Sequence, residues 1–253
     1  MQDRDRIPAP RDWPATDVII PALNEHEALP RVLADLPREW IREIVVVDNG
    51  STDGTAEVAS RLGATVVHEP RRGYGRACLA GIATLALRAN PPAVVVFLDA
   101  DHSDHPDELV RLVQPIAQGR LDFVVGSRVL GQRERGALLP QARFGNLVAA
   151  WLIRRLHGLR VTDLGPFRAI RWETLLSLEL GDRGCGWTAE MQVEAARRGV
   201  RYGEVPACYR RRVGVSKITG TVGGTLRAGA KILYTVLRPR RRQPPRPRAA
   251  GES

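Results

Sequence analysis

A rhythm in the chain limits its fold more than any other feature. Short, nearly uninterrupted runs of β-branched and apolar residues are each followed by a stretch of helical character. Residues 18–20, 44–47, 65–68, 94–98 and 123–125 read as strands. Between them, residues 27–36, 55–62, 75–87 and 106–118 read as helices, with Gly63 and Gly119 as C-terminal stops. A strand with one wet face alternates apolar and polar side chains, whereas a run that is apolar throughout is covered on both faces. The rhythm therefore predicts an α/β fold: a mostly parallel central sheet with helices on both faces, its first half a Rossmann-like alternation of strand and helix.

The second half is less regular. Residues 143–156 read as a helix, 166–170 as a strand, 188–198 as a helix closed by Gly199, 201–209 as a strand and 222–237 as a helix. No repeat and no linker interrupts it. A single domain is expected over 17–237, between a charged, Pro-containing arm (1–16) and an Arg/Pro-rich tail (238–253). Hydrophobic content of 43% with 26% charge fits a globular chain. The three cysteines, Cys78, Cys185 and Cys208, are too far apart for a CxxC pair, which excludes a zinc ribbon or a disulfide scaffold. They fit a reducing, cytoplasmic address. The N-terminus lacks an apolar targeting segment, and uncharged apolar runs stop near ten residues, short of the ~20 that a membrane span needs.

On such a sheet, ligands bind beyond the carboxyl ends of the strands. Pro21-Ala22-Leu23-Asn24-Glu25 follows the first strand, Asp48-Asn49-Gly50-Ser51-Thr52-Asp53-Gly54-Thr55 the second, and Asp99-Ala100-Asp101 the fourth. Acids at three strand ends would repel a bare phosphate. They suit one bridged by Mg2+ or Mn2+, held by the hard oxygens of Asp99 and Asp101. A single carboxylate beyond the second strand suits a ribose hydroxyl or a base N–H. Each fragment alone is common; their order, each directly after an apolar strand, is specific.

With these residues the chain resembles the family 2 glycosyltransferases of GT-A fold. It is most similar to the branch that includes dolichyl-phosphate mannose synthases and bacterial polyprenyl-phosphate glycosyltransferases. The resemblance spans roughly residues 17–237. It adds Arg72-Gly73-Tyr74-Gly75, Gly126-Ser127-Arg128, Thr162–Arg168, Trp187-Thr188-Ala189-Glu190 and Gly214-Val215-Ser216-Lys217 to the motifs above. It implies that Pro21, Leu23, Glu25, Val46, Asp48 and Ser51 line the nucleoside pocket. By the same resemblance Arg72 and Gly73 lie near the donor diphosphate, and Asp99, Ala100 and Asp101 hold nucleotide and metal. Two positions depart from the family: Leu23 stands where an aromatic is frequent, and Asn49 where a second Asp is frequent. Arg71–Gly75 only partly matches a dinucleotide GxGxxG, since Cys78 replaces the third glycine. His102 and His105 follow the acids, but Mg2+ and Mn2+ prefer oxygen.

The acceptor decides the mechanism. Inverting transfer to a hydroxyl needs a general base. A phosphate monoester is already an anion and needs cations that hold it in line. The second half has few acids for a base (Asp163, Asp182, Glu190) and many cations. The resemblance implies that Arg128 and Arg143 hold a lipid phosphate and that Lys217 closes over the diphosphates. Arg168 is a further candidate, and Glu190 is the candidate base.

The formal net charge is +10. The tail contributes +5, from six arginines and one acid, and residues 120–171 contribute +7, from ten arginines and three acids; the remainder nets −2. This basicity is either a solvated surface or a face for an anionic partner. The helix at 224–237, with the tail behind it, is the candidate for a peripheral membrane contact on the cytoplasmic face. Nucleic acid is not expected: aromatics are 5% and the acidic strand ends would repel its backbone. A homodimer is compatible with the sequence.

The expected function is metal-dependent, inverting transfer of a hexose from a UDP- or GDP-linked sugar to a polyprenyl or dolichyl phosphate. A hydroxyl acceptor, with Glu190 or Asp163 as base, is the alternative. A sugar nucleotidyltransferase is more remote, because those enzymes usually carry a Gly-rich basic loop where Pro21–Glu25 stands.

Overall fold

A computed structural model of the protein describes residue 10, residues 12–214 and residues 222–238. Most of the expected N-terminal arm, Lys217 and the tail beyond Arg238 lie outside the described residues.

The elements run β1 (Thr16–Ala22), α1 (Leu29–Asp35), β2 (Glu43–Asp48), α2 (Thr55–Arg61), β3 (Thr65–His68), α3 (Tyr74–Ala86) and β4 (Val94–Phe97). They continue with α4 (Leu109–Ala117), β5 (Phe123–Ser127), α5 (Pro140–His157), β6 (Arg168–Arg171), α6 (Trp172–Ser177), α7 (Trp187–Arg197), β7 (Tyr202–Pro206) and α8 (Val222–Leu237). The seven strands form one sheet in the order β3-β2-β1-β4-β6-β5-β7. All pairings are parallel except those of β6, which runs antiparallel to β4 and β5. The fold is thus α/β with a mostly parallel sheet. Helix α6 is absent from the sequence reading: its six residues follow β6 without a loop, so no turn residues announce it.

The two-residue side-chain period sorts the strands onto two cores. Val18, Ile20, Val46, Val94 and Val96 pack under α1, α2 and α4. Ile19, Val45, Val47, Val95 and Phe97 pack under α3, α6 and α7. Each such side chain, fully buried, contributes roughly 1.5–3 kcal/mol over its exposed state. A third core, from Ala149, Ala150, Ile153, Val193 and Val236, joins α5, α7 and α8. Register then places the functional loops. Ala22 stands opposite Asp48 and Ile19 opposite Phe97, so the chain leaves β1, β2 and β4 at one edge of the sheet.

Candidate active site

The loops after β1 and β2 are built against each other. Asn24 takes a left-handed backbone, φ 54°, and its side-chain oxygen accepts the Thr52 amide at 2.8 Å. The Asn24 amide donates to Ser51 Oγ at 3.0 Å, and the Glu25 amide to Thr55 Oγ1 at 2.9 Å. Asp48 Oδ1 accepts the Ser51 amide at 3.0 Å, while its Oδ2 lies 3.3 Å from His68 Nδ1. Ser51 is thus a brace between the two loops.

Asn49 organises the segment before α3. Its Nδ2 donates to the carbonyls of Glu69 and Arg71, both at 2.9 Å, and its Oδ1 accepts the Gly73 amide at 2.7 Å. Gly73 has φ 150°, and a Cβ there would run into the Arg183 carbonyl oxygen. The next amides of α3 are also engaged: Gly75 donates to the Gly184 carbonyl and Arg76 to that of Arg183. The partial GxGxxG match is therefore a docking seam, its helical amides already bonded to protein.

A cavity of about 410 Å3 opens between these loops. Pro21, Leu23 and Glu25 line one side, Arg72, Gly73 and Tyr74 another, with Asp99, Ala100 and Asp101 between them. Val46 is a correction: it shares the Asp48 face of β2 but lies two residues deeper, where the core beneath α1 and α2 buries it fully, and it does not line the cavity.

The two acids differ in setting. Tyr74 donates its hydroxyl to Asp99 Oδ1 at 2.9 Å. Burial, and then the charge of Asp101, push the Asp99 carboxyl up to about 7. Asp101 Oδ1 accepts the Ser103 amide at 2.9 Å. Its Oδ2 lies 3.1 Å from Arg212 Nη1, and Arg212 Nη2 lies 3.2 Å from Glu25 Oε1. The sequence reading missed Arg212, although it stands two residues before Gly214. Two hard carboxylates that repel each other would fit a hard divalent cation such as Mg2+ or Mn2+, whose charge would offset that repulsion. His102 is committed elsewhere, its Nε2 2.9 Å from Asp35 Oδ2, and His105 faces Asp107 at 3.7 Å.

The second-half candidates separate. Arg128 forms a two-point pair with Asp163, Nε to Oδ2 at 2.8 Å and Nη2 to Oδ1 at 2.7 Å, and its guanidinium lies 5.1 Å from the Tyr209 ring centroid. Burial opposes the Arg128 charge, but the Asp163 carboxylate outweighs it and holds the pKa above its ordinary value. Arg168, a candidate for acceptor phosphate, is a correction. It is 0% exposed, and its guanidinium donates to the carbonyls of Gly165, Leu164 and Thr188. It folds its own loop and has no surface to offer a ligand.

Glu190 has a structural task of its own. Its Oε2 accepts the amides of Gly181 and Asp182, at 3.0 and 2.7 Å, and props the loop on which Gly75 and Arg76 dock. The candidate base thus holds this loop through one of its two carboxylate oxygens. Arg143 is exposed in the first turn of α5. Lys217 lies outside the described residues.

The sequence matches the profile of glycosyl transferase family 2 over residues 17–175. It is 43% identical over 214 residues to an uncharacterized glycosyltransferase of Mycobacterium tuberculosis, covering 84% of this chain and 93% of that protein. It is 35% identical over 228 residues to the dolichyl-phosphate hexose transferase of Haloferax volcanii, covering 89% and 95%. Among solved structures, it resembles glucosyl-3-phosphoglycerate synthase from Mycobacterium tuberculosis in complex with Mn2+, uridine diphosphate and glucosyl-3-phosphoglycerate. The TM-score is 0.68 with 26% identity, covering 88% of this chain and 79% of that one. The strand-end acids, the GT-A sheet and these likenesses agree: the chain belongs to glycosyl transferase family 2.

Proposed function

We propose that residues 17–237 form one catalytic domain that moves a hexose from a UDP- or GDP-linked sugar, with inversion, to the phosphate of a polyprenyl or dolichyl phosphate. One observation carries the choice of acceptor. Each second-half acid that could act as a base is engaged: Asp163 with Arg128, Asp182 with Lys231 at 2.8 Å, and Glu190 with two amides. A phosphate nucleophile needs no base, whereas a hydroxyl does. The likeness to a dolichyl-phosphate hexose transferase supports the same acceptor.

In this reading Pro21, Leu23, Glu25 and Asp48 hold the nucleoside, and Arg72 and Gly73 border the diphosphate. Asp99 and Asp101 would hold the Mg2+ or Mn2+, whose charge would stabilise the departing diphosphate. Tyr74 fixes one oxygen of Asp99, which leaves the other to face the cavity. Arg128, set by Asp163, and Arg143 orient the acceptor phosphate, and Lys217 covers the diphosphates. The enzyme works peripherally at the cytoplasmic face of a membrane.

A hydroxyl acceptor is the second reading, favoured by the structural likeness to glucosyl-3-phosphoglycerate synthase. Incubation with Mn2+ and a panel of labelled UDP-, GDP- and dTDP-sugars, offered either farnesyl phosphate or 3-phosphoglycerate, separates the two. Label transferred to the prenyl phosphate supports the first reading. Label found only on 3-phosphoglycerate overturns it.

A further inference from the structure

Helix α5 carries more apolar surface outward than a helix of a globular domain normally does. Phe144, Leu147 and Trp151 are 69%, 60% and 54% exposed. At 3.6 residues per turn they fall within about 60° of the helix surface. The opposite face, with Ala149, Ala150 and Ile153, is buried against α7 and α8. The helix is thus apolar on both sides, and only one side has a partner among the described residues.

The rim of the outward face is cationic. Arg143, Arg154 and Arg155 are exposed. Neither α5 nor α8 contains an acid over their 18 and 16 residues. The two helices end together, with His157 Nε2 2.9 Å from the Val236 carbonyl oxygen. There α8 adds exposed Tyr234 and Leu237, and the sequence that follows carries six arginines. The rest of α8 does not fit the interfacial role expected from sequence. Val236 is buried, Ile232 packs on the α5–α7 core, and Lys231 is paired with Asp182.

An aromatic and aliphatic stripe with an arginine rim and no acid is complementary to an anionic bilayer surface, with apolar side chains entering the headgroup boundary. Its place in the fold suits that partner. Asn146, on α5 itself, donates to the Thr162 carbonyl at 3.1 Å and accepts the Leu164 amide at 2.9 Å. It thereby pins the helix beside Asp163, the residue that sets Arg128.

We propose that the Phe144–Leu147–Trp151 face of α5, with its arginine rim, is the surface that seats this protein on an anionic lipid bilayer. The proposal rests on the polyprenyl-phosphate reading above and specifies which surface delivers the site to a lipid-borne acceptor.

Flotation of the full chain with vesicles of phosphatidylcholine, with and without an equal part of phosphatidylglycerol, tests it. The wild type is expected to float with the anionic vesicles at low salt and to be released by salt. The Phe144→Ser/Leu147→Ser double variant, altered only at exposed positions and checked for an unchanged thermal transition, should float about tenfold less. Brominated phosphatidylglycerol should quench tryptophan emission in the wild type and much less in Trp151→Phe. Equal flotation of wild type and double variant overturns the proposal and assigns any binding to the tail. So does a wild type that stays unbound but scatters light as a dimer that the double variant dissociates, which would make the face an interface between two copies. Transfer of sugar to farnesyl phosphate in solution by a protein that does not float overturns the docking face alone. Flotation through α5 with no transfer to any prenyl phosphate overturns the acceptor reading alone.

Discussion

The side-chain oxygen of Asn49 accepts the Gly73 amide at 2.7 Å, while its nitrogen donates to the carbonyls of Glu69 and Arg71. Only a side chain with both an acceptor and two N–H bonds can do this. An aspartate there would turn a carboxylate oxygen toward two carbonyl oxygens. Asn49→Asp is therefore expected to lower stability by about 2 kcal/mol and to loosen the wall of the cavity at Arg72 and Gly73. Urea denaturation measures the first effect and donor titration the second. Unchanged stability would show that the loop tolerates a carboxylate there.

Asp163 and Arg128 bury a two-point ion pair. Burial opposes ionisation of Asp163, but the charge and hydrogen bonds of Arg128 prevail and hold its carboxyl below the ordinary value of 3.8. The unfolded chain then binds that proton more tightly than the native chain. The pair's contribution is complete above 3.8 and is lost as pH falls through the depressed native value. Asp163→Asn should cost about 3–5 kcal/mol at neutral pH, because it leaves Arg128 buried without its partner. Thermal melts of both proteins from pH 7 downward should converge in acid. Parallel curves would mean that Asp163 is not the group that titrates.

The strand rhythm made most of the sheet legible, because apolar runs this short and β-branched, set between helical stretches, are strands covered on both sides. It carried no direction for residues 168–171, since pairing sense depends on how the chain returns and not on composition. The acids of the cavity were legible because they end strands. Val46 was misassigned because it shares a strand face with Asp48: the two-residue period says nothing of depth, and two residues back from the strand end the helices already cover that face. Arg168 and Glu190 look like site charges in sequence, and only packing shows that their partners are backbone groups. Arg212 was illegible for the opposite reason: its role exists only once the chain after β7 returns to the ends of β1 and β4.

Arg168 separates structural from acceptor chemistry directly. Its bonded partners are backbone carbonyls and the Met191 sulfur, and burial pulls its pKa down. Arg168→Met removes a buried charge but strands those carbonyls, at about 1–3 kcal/mol for each left unsatisfied. A drop of several degrees in the melting temperature is expected, with the KM for prenyl phosphate unchanged in the folded fraction. A selective rise in that KM at unchanged stability would return Arg168 to the acceptor site.

Arg212 occupies the space between Asp101 and Glu25 with a guanidinium charge, 3.1 and 3.2 Å from their oxygens. A divalent ion proposed for Asp99 and Asp101 must share Asp101 with it, and two cations a few ångströms apart repel even at a protein surface. In the absence of donor, Arg212→Ala should therefore bind Mn2+ more tightly, by about tenfold, as read from the free-ion signal in electron paramagnetic resonance. Asp101→Ala should lose that binding and all transfer, and EDTA should abolish transfer by the wild type. Turnover needs the opposite of what apo binding gains. With a diphosphate present Arg212 has a better anion than Asp101, so the Arg212→Ala enzyme should hold metal well and donor poorly, with a raised donor KM. Mn2+ affinity unchanged by Arg212→Ala, or full activity in EDTA, would mean that Asp101 does not serve a metal and that Arg212 is itself the cation of the site.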